Sequence, residues 1–200
     1  MTPPRIGVLA LQGDVREHLG AIAECDALAR PVRRPDELES VDALVIPGGE
    51  STTMSKLMES YELEQPIRDL HGRGAPVFGT CAGMILVSRD AVDGLPGQRY
   101  LGLIDLGVRR NAFGRQVASF EAPLTLHGES EPLTGIFIRA PWIERAGEGV
   151  EVLAEHEGHP VAARQAGVLV TAFHPELTGD RRLHRRFAEM VARARQEQAA

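Results

Sequence analysis

The chain has 200 residues, of which 43% are hydrophobic and 25% are charged, and its formal net charge is −6. This length and composition predict one globular domain, spanning 1–200, with a substantial buried core. The acidic balance argues against a nucleic-acid partner, and no apolar stretch is long enough to make a membrane span. Two cysteines are too few for a disulfide framework, and the opening "MTPPRIGVLALQGD" does not resemble a signal peptide. A cytoplasmic location is therefore expected.

The first half of the sequence alternates between apolar runs and amphipathic segments. The predicted strands cover 5–11, 41–49 and 75–80, and the predicted helices cover 14–25, 51–61, 65–74 and 82–92. Strands that alternate with helices indicate a parallel sheet with helices packed on its faces.

The second half has a different pattern. From residue 101 onward, short alternating segments with glycine, proline and asparagine breaks predict an antiparallel β region. The chain then returns to the main sheet at "VLVTAF" (168–173) and closes with an amphipathic helix over 180–200. The predicted fold class is a three-layer α/β domain with a mostly parallel central sheet, flanking helices and this antiparallel region.

Cys81 lies in "VFGTCAGM", between a predicted strand and a predicted helix. A sharp strand-to-helix turn presents its side chain above the sheet edge, and flanking glycines permit the tight backbone. The positive end of the following helix favours a thiolate, and the Ala82 N–H points to where an oxyanion would form. The sequence therefore favours Cys81 as a nucleophile, with a buried structural cysteine as the alternative.

A thiol nucleophile needs a base and a group that orients the base. "AFHPE" offers His174 and Glu176, two positions apart, and in an extended segment their side chains would point to the same side. The alternative for this pair is an ordinary surface turn. His156 and His159, in "HEGH", have loose metal-like spacing but no third ligand nearby, so a solvated hairpin turn is expected there and no metal site.

The third motif is "IPGGES" (46–51), where a predicted strand ends in two glycines before a helix. Paired glycines allow unusual backbone angles, and the Gly49 N–H is placed to be a second oxyanion donor opposite Ala82. Glu50 and Ser51 could contact a polar substrate or simply cap the helix. A phosphate loop is a weaker interpretation, because the segment lacks the P-loop lysine and carries a carboxylate. All three motifs follow predicted parallel strands, where α/β sheets place their active sites.

The motifs "PGGES", "GTCAG" and "FHPE", in this order, resemble those of triad-type (class I) glutamine amidotransferases, which release ammonia from glutamine. The segments "LALQGDVREH", "RRNAFGRQVASFE" and "FIRAPWIE" resemble more closely the glutaminase subunits of pyridoxal 5′-phosphate synthases. This resemblance runs from Ile6 to the closing helix.

The resemblance implies a role for each matching residue. Cys81, His174 and Glu176 would form the catalytic triad, and Gln12 would lie near the oxyanion site and the partner interface. No cofactor is implied. The residues expected to bind glutamine are Gly48, Gly49, Glu50, Arg110, Ile138 and Arg139.

The resemblance also implies a partner, a TIM-barrel synthase subunit that receives the ammonia within a large hetero-oligomeric complex. Three alternatives stay open at the level of sequence. They are a cysteine-based redox sensor or deglycase-like protein, a non-catalytic scaffold, and a class I glutaminase that serves another synthase, such as imidazole glycerol phosphate synthase.

Overall fold

The computed structural model describes residues 2–113 and 119–199. Part of the "RNAFGRQ" motif, at 114–116, lies outside the described residues. The strands are β1 (Arg5–Leu9), β2 (Leu28–Val32), β3 (Ala43–Ile46), β4 (Val77–Thr80), β5 (Ser88–Ala91), β6 (Ile104–Arg109), β7 (Ser119–Leu124), β8 (Leu133–Ile138), β9 (Trp142–Ala146), β10 (Glu151–His156), β11 (His159–Gln165) and β12 (Val168–Thr171). The helices are α1 (Val15–Ala23), α2 (Pro35–Leu38), α3 (Ser51–Ser60), α4 (Glu64–Gly72), α5 (Ala82–Val87) and α6 (Arg182–Ala199), and a 3-10 turn covers Pro175–Leu177.

A seven-stranded sheet in the order β10–β11–β12–β4–β3–β1–β2 forms the centre of the fold. The strands from β12 to β2 pair in parallel, whereas β10 and β11 extend the sheet in antiparallel fashion. Every residue of β3, β4 and β12 is buried, which explains why these strands read as unbroken apolar runs. Two smaller sheets, β5–β6–β9 and β7–β8, form the antiparallel-rich second half. The predicted α/β class is confirmed.

Two local predictions fail. The helix expected over 82–92 ends at Val87, and Ser88–Ala91 instead pairs in parallel with β6. The buried Ser88 hydroxyl donates to the Met84 carbonyl at 2.6 Å, so a side chain takes up an acceptor at the helix end. Sequence patterning also missed β2, a mostly exposed edge strand with Pro31 inside it, because edge strands lack the apolar run of central ones.

Two buried histidines connect α1 to α6 beneath the sheet edge. His18 Nδ1 lies 3.1 Å from His184 Nε2, and neither side chain is more than 2% exposed. Burial, followed by the neighbouring imidazoles of His184 and His174, lowers the pKa of His18 well below its usual value. Burial also lowers the pKa of His184 to about 4. Both rings are therefore neutral near pH 7.

We expect this pair to make the protein acid-sensitive. An unfolded histidine binds a proton below about pH 6.5, but the folded His184 resists protonation until about pH 4. The contribution of neutral, buried His184 to folding stability is therefore fully present above about pH 6.5 and is lost as pH drops towards 4. The free energy of unfolding should be measured with urea at pH 7 and at pH 5. Its decrease from pH 7 to pH 5 should be smaller for His184→Gln than for the wild type. The exposed His127→Gln control should behave as the wild type, and equal losses in all three proteins would contradict the expectation.

Candidate active site

A cavity of about 350 Å³ opens at the edge where the parallel strands β1, β3, β4 and β12 end. The loops that follow these four adjacent strands carry most of the predicted site residues to one place, as expected for a parallel sheet, while Arg110 follows β6 and Arg139 follows β8. The residues that line the cavity are Gln12, Asp14, Gly49, Glu50, Ser51, Cys81, Ala82, Ile85, Arg110, Asn111, Ile138, Arg139, Pro141 and His174.

Cys81 occupies the sharp turn between β4 and α5. Its φ of 48° lies in the left-handed region, which non-glycine residues rarely adopt. The Cys81 N–H donates to the Thr171 carbonyl at 2.8 Å, which fixes the turn against the end of β12. A side chain at Gly83 would overlap with the Ile46 carbonyl, so only glycine lets α5 start this close to β3. The Cys81 thiol reaches the cavity and lies 3.9 Å from the Ile138 carbonyl.

His174 and Glu176 are brought together by a 3-10 turn and not by the extended segment that the sequence predicted. His174 Nδ1 lies 2.8 Å from Glu176 Oε1, and both side chains are nearly fully buried. Among the residues that the structure describes, the other nitrogen, His174 Nε2, is buried without a hydrogen-bond partner, and Cys81 lines the same cavity. The Cys81 side chain nevertheless contributes to raising the pKa of His174.

A second carboxylate lies on the same imidazole nitrogen. Asp14 Oδ2 is 3.2 Å from His174 Nδ1. Burial opposes protonation of His174, but its contacts with Asp14, Cys81 and Glu176 outweigh burial and raise its pKa to about 12. Burial raises the pKa of Glu176, and the neighbouring imidazole opposes this shift. The site therefore favours an imidazolium facing the thiol.

Behind Glu176 stands a buried polar layer. His18 Nε2 lies 3.4 Å from Glu176 Oε2 and 3.0 Å from the Thr80 hydroxyl. Within the described part of the chain, Glu176 Oε2 has no hydrogen-bond partner, and since the His18 ring is neutral, its approach is a polar packing contact and not an ion pair. Since Thr80 immediately precedes Cys81, this layer connects the carboxylate to the turn that carries the thiol.

The glycine pair lies on the other side of the cavity. Gly49 has a φ of 155° and leaves space that the Gln12 amide fills, with Gln12 Oε1 accepting the Glu50 N–H at 2.7 Å. The Gly48 carbonyl accepts the Asp14 N–H at 3.3 Å, so the N–H of the same trans peptide, which belongs to Gly49, points the opposite way. Within residues 2–113 and 119–199, neither the Gly49 nor the Ala82 amide donates to a protein acceptor. Gly48 itself contacts His174 and does not line the cavity.

A charged pair lines the far wall. Arg110 Nη2 lies 3.4 Å from Glu50 Oε1, and the Arg110 side chain is only 13% exposed. Burial raises the pKa of Glu50, but hydrogen bonds from the Thr52 hydroxyl and the Thr53 N–H, together with the charge of Arg110, lower it overall. Gln98 supports the pair from behind, since its Oε1 lies 3.5 Å from Arg110 Nη1.

Ile138 and Arg139 complete the cavity lining beside the thiol. Both are exposed and line the cavity, and Arg139 has a φ of 43°. This left-handed backbone turns the chain between β8 and β9 at the mouth of the site. All the predicted site residues except Gly48 thus line the cavity or, for Glu176, contact a residue that does.

Among the described residues, one cluster has potential metal-ligand atoms that all lie within 4.8 Å of one another. It consists of Asp14, His174 and Glu176. Both carboxylates approach the same atom, His174 Nδ1, where a single proton satisfies the short contact with Glu176. We therefore interpret the cluster as a hydrogen-bonding arrangement.

Sequence reasoning missed Asp14, Ile85, Asn111 and Pro141 as lining residues, and it missed His18 as a neighbour of Glu176. Asp14 and His18 stand beside Gln12 in "LQGDVREH", directly after β1. The position of Asp14 after a parallel strand was a usable signal, whereas the contact of His18 with Glu176 depends on tertiary packing.

The fold and the Cys–His–Glu constellation at the carboxyl edge of its sheet define an α/β protein of the class I glutamine amidotransferase type. A solved structure described as a glutamine amidotransferase superposes with a TM-score of 0.88, at 49% identity, over 94% of this chain and 98% of that one. A putative GMP synthase subunit from Thermoplasma acidophilum, at 15% identity and a TM-score of 0.73, shares the fold alone.

The sequence profile of the SNO glutamine amidotransferase family matches residues 8–193, and the chain belongs to this family. A relative from Streptomyces coelicolor, named pyridoxal 5′-phosphate synthase subunit PdxT, is 59% identical over 98% of both chains. A relative of the same name from Mycobacterium avium is 59% identical over 96% of this chain and 98% of its own. The protein is accordingly a glutamine-hydrolysing amidotransferase. No helix within the described ranges has the length and apolar character needed to cross a membrane.

Gly48 provides a test of how tightly the site is built. A β-carbon there would lie 2.9 Å from His174 Nδ1 and even closer to the ring carbon beside it. We expect Gly48→Ala to displace His174 and lower glutamine hydrolysis by about 100-fold, because misplacement of a catalytic group by about 1 Å has that cost. Ammonia release and the melting temperature should be measured together.

The matched control is Gly20→Ala in α1, where a β-carbon meets nothing within 4 Å. This change should keep full activity and stabilise the helix by about 0.5–1 kcal/mol. Near wild-type activity of Gly48→Ala would show that the imidazole does not depend on this contact.

Proposed function

We propose that this chain is the glutaminase subunit of a pyridoxal 5′-phosphate synthase and that it hydrolyses L-glutamine through Cys81, His174 and Glu176. One observation carries the catalytic part of the proposal. His174 has Glu176 on one ring nitrogen, while its other nitrogen is buried, has no hydrogen-bond partner in the described part of the chain, and lies in a site shared with a cysteine. This is the arrangement that a thiol nucleophile and its base require. The near 60% identity to relatives named PdxT supports the biosynthetic part.

The reaction begins when the Cys81 thiolate attacks the side-chain amide carbon of glutamine. The N–H groups of Gly49 and Ala82 stabilise the oxyanion, since both lie at the cavity and are not used by protein acceptors among the described residues. The His174 imidazolium protonates the departing ammonia. The imidazole then takes a proton from water, which hydrolyses the thioester and frees the thiol.

The charged side chains that line the cavity recognise the α-carboxylate and α-ammonium groups of glutamine. Arg110 and Arg139 suit the α-carboxylate, and the ionised Glu50 suits the α-ammonium group. Ile138 forms a side wall, and Gly48 supports the site indirectly by leaving room for His174. Gln12, held on the Glu50 amide, lies where partner docking can influence the oxyanion side of the cavity.

Ammonia released into water near pH 7 would mostly be protonated and lose its nucleophilicity. The proposal therefore includes a TIM-barrel synthase subunit that receives ammonia by a shielded route within a large hetero-oligomeric complex. It also includes a single amidotransferase domain over 1–200, supported by a continuous hydrophobic core that joins strands of all three sheets. A cytoplasmic location is supported by the unpaired state of both cysteines.

The first test compares ammonia release from L-glutamine by the wild type, Cys81→Ala and Cys25→Ala, each with and without a pyridoxal 5′-phosphate synthase subunit. Cys81→Ala should lose at least about 1,000-fold in rate, as expected for removal of a nucleophile. Cys25, whose thiol donates to the Ala21 carbonyl in the core, is the matched control and should keep its activity.

Activity that rises with the synthase subunit in the wild type and in Cys25→Ala supports both parts of the proposal. Activity that ignores this subunit would keep the glutaminase and overturn the assignment to pyridoxal phosphate synthesis. Full activity of Cys81→Ala would overturn the catalytic assignment itself.

The second test addresses recognition of glutamine. We expect Arg110→Gln to raise KM for glutamine by about 10- to 100-fold with a smaller effect on kcat, because a charged hydrogen bond contributes about 1.5–3 kcal/mol. The neighbouring Arg109 is a matched control, since it pairs with Glu144 on the surface and not with the cavity. Equal KM values for Arg110→Gln and Arg109→Gln would exclude Arg110 from binding.

A further inference from the structure

Asp14 lies at the N-terminal end of α1, a position where an aspartate side chain usually accepts N–H groups of the first helical turn. Here the Asp14 carboxylate makes no such capping hydrogen bond. It lies instead 3.2 Å from His174 Nδ1, on the nitrogen that Glu176 also contacts. Helix α1 therefore lacks this stabilising cap, and the Asp14 carboxylate contacts the His174 imidazole instead.

The backbone nearby is shaped for this contact. The Asp14 N–H donates to the Gly48 carbonyl, and a β-carbon at Gly48 would lie 3.1 Å from Asp14 Oδ2 and 2.9 Å from His174 Nδ1. The absence of a side chain at Gly48 therefore leaves the space in which the aspartate and the imidazole meet.

The two carboxylates on His174 differ in their surroundings. The Glu176 side chain is fully buried, and burial raises its pKa. The Asp14 side chain is 33% exposed, so it keeps part of its hydration while facing the ring. Asp14 can therefore approach Nδ1 without the full desolvation cost that Glu176 carries.

We propose that Asp14 is a positioning residue, a second carboxylate that acts with Glu176 to hold His174 in its protonated form facing the Cys81 thiolate. The proposal deepens the proposed function and rests on it for its catalytic meaning. The titratable groups around His174 are Asp14, Glu176 and Cys81 in contact with it, and His18 behind Glu176.

The test follows the ionisation of His174 directly. Imidazole nitrogen signals of chains labelled at histidine should be titrated by NMR, with His174 assigned by its loss in His174→Gln. In Asp14→Asn, which keeps the side chain's shape and removes its charge, His174 should lose its proton about 1–3 pH units lower than in the wild type. The matched control is Glu17→Gln in the first turn of α1, whose carboxylate contacts Arg16, and it should leave the titration unchanged.

A second readout follows the thiol. Because a neighbouring positive charge increases the reactivity of a thiol, alkylation of Cys81 by iodoacetamide, located by mass spectrometry, should be slower in Asp14→Asn. The alkaline limb of the kcat/KM profile should move to lower pH by the same amount as the His174 titration.

An unchanged His174 titration in Asp14→Asn, beside a clear shift in Glu176→Gln, would overturn the proposal, as would an equal shift in Glu17→Gln. A shifted titration and slower alkylation in chains that release no ammonia would uphold the role of Asp14 on His174 while the proposed function failed. The NMR and alkylation readouts therefore separate the two failures.

Discussion

The turn between β4 and α5 is the constraint on which the rest of the site depends. Cys81 adopts a left-handed backbone that costs a non-glycine residue about 1–3 kcal/mol, and the surrounding packing has to maintain it. Gly83 lets α5 start against the end of β3, and the Thr171 carbonyl holds the Cys81 N–H. The same bond ties the cysteine to β12, the strand that leads to His174. One strained turn thus fixes both the direction of the thiol and its distance from the base.

The site also depends on the electrostatic environment that sets the protonation of His174. His174 is almost fully buried, which by itself disfavours the imidazolium, yet two carboxylates and the thiol group outweigh burial. A strongly basic imidazole holds a positive charge beside the thiol but gives up its proton less readily to departing ammonia. A partly hydrated Asp14 and a fully buried Glu176 offer a way to balance these demands, because only the exposed carboxylate can respond to changes at the cavity mouth.

Sequence reasoning reached the features that local pattern determines. The buried strands β3, β4 and β12 were visible as apolar runs, and Cys81, His174 and Glu176 follow strands that a parallel sheet brings together. It missed β2, which is an edge strand without an apolar run. It also extended α5 too far, because the helix ends where the Ser88 hydroxyl donates to the Met84 carbonyl. The 3-10 turn at Pro175–Leu177 was also missed, although the pairing that it creates was expected. Arg110 and Arg139 could be named only by resemblance, because nothing local distinguishes them from solvated arginines.

The cavity carries the Glu50–Arg110 pair on one wall and Cys81 with His174 at another place in its lining, which suits a substrate with charged groups at one end and a reactive amide at the other. In the proposed mechanism, Glu50 and Arg110 meet the charged α-groups of glutamine, while the neutral amide reaches Cys81. Glu50 belongs to the same backbone turn as Gly49, and its N–H is held by Gln12. In that mechanism, a glutamine bound by the Glu50 side chain acts on the segment that carries Gly49, the proposed oxyanion donor. Binding energy from the unreactive end of the substrate can in this way be used to orient the amide that stabilises the reacting carbon.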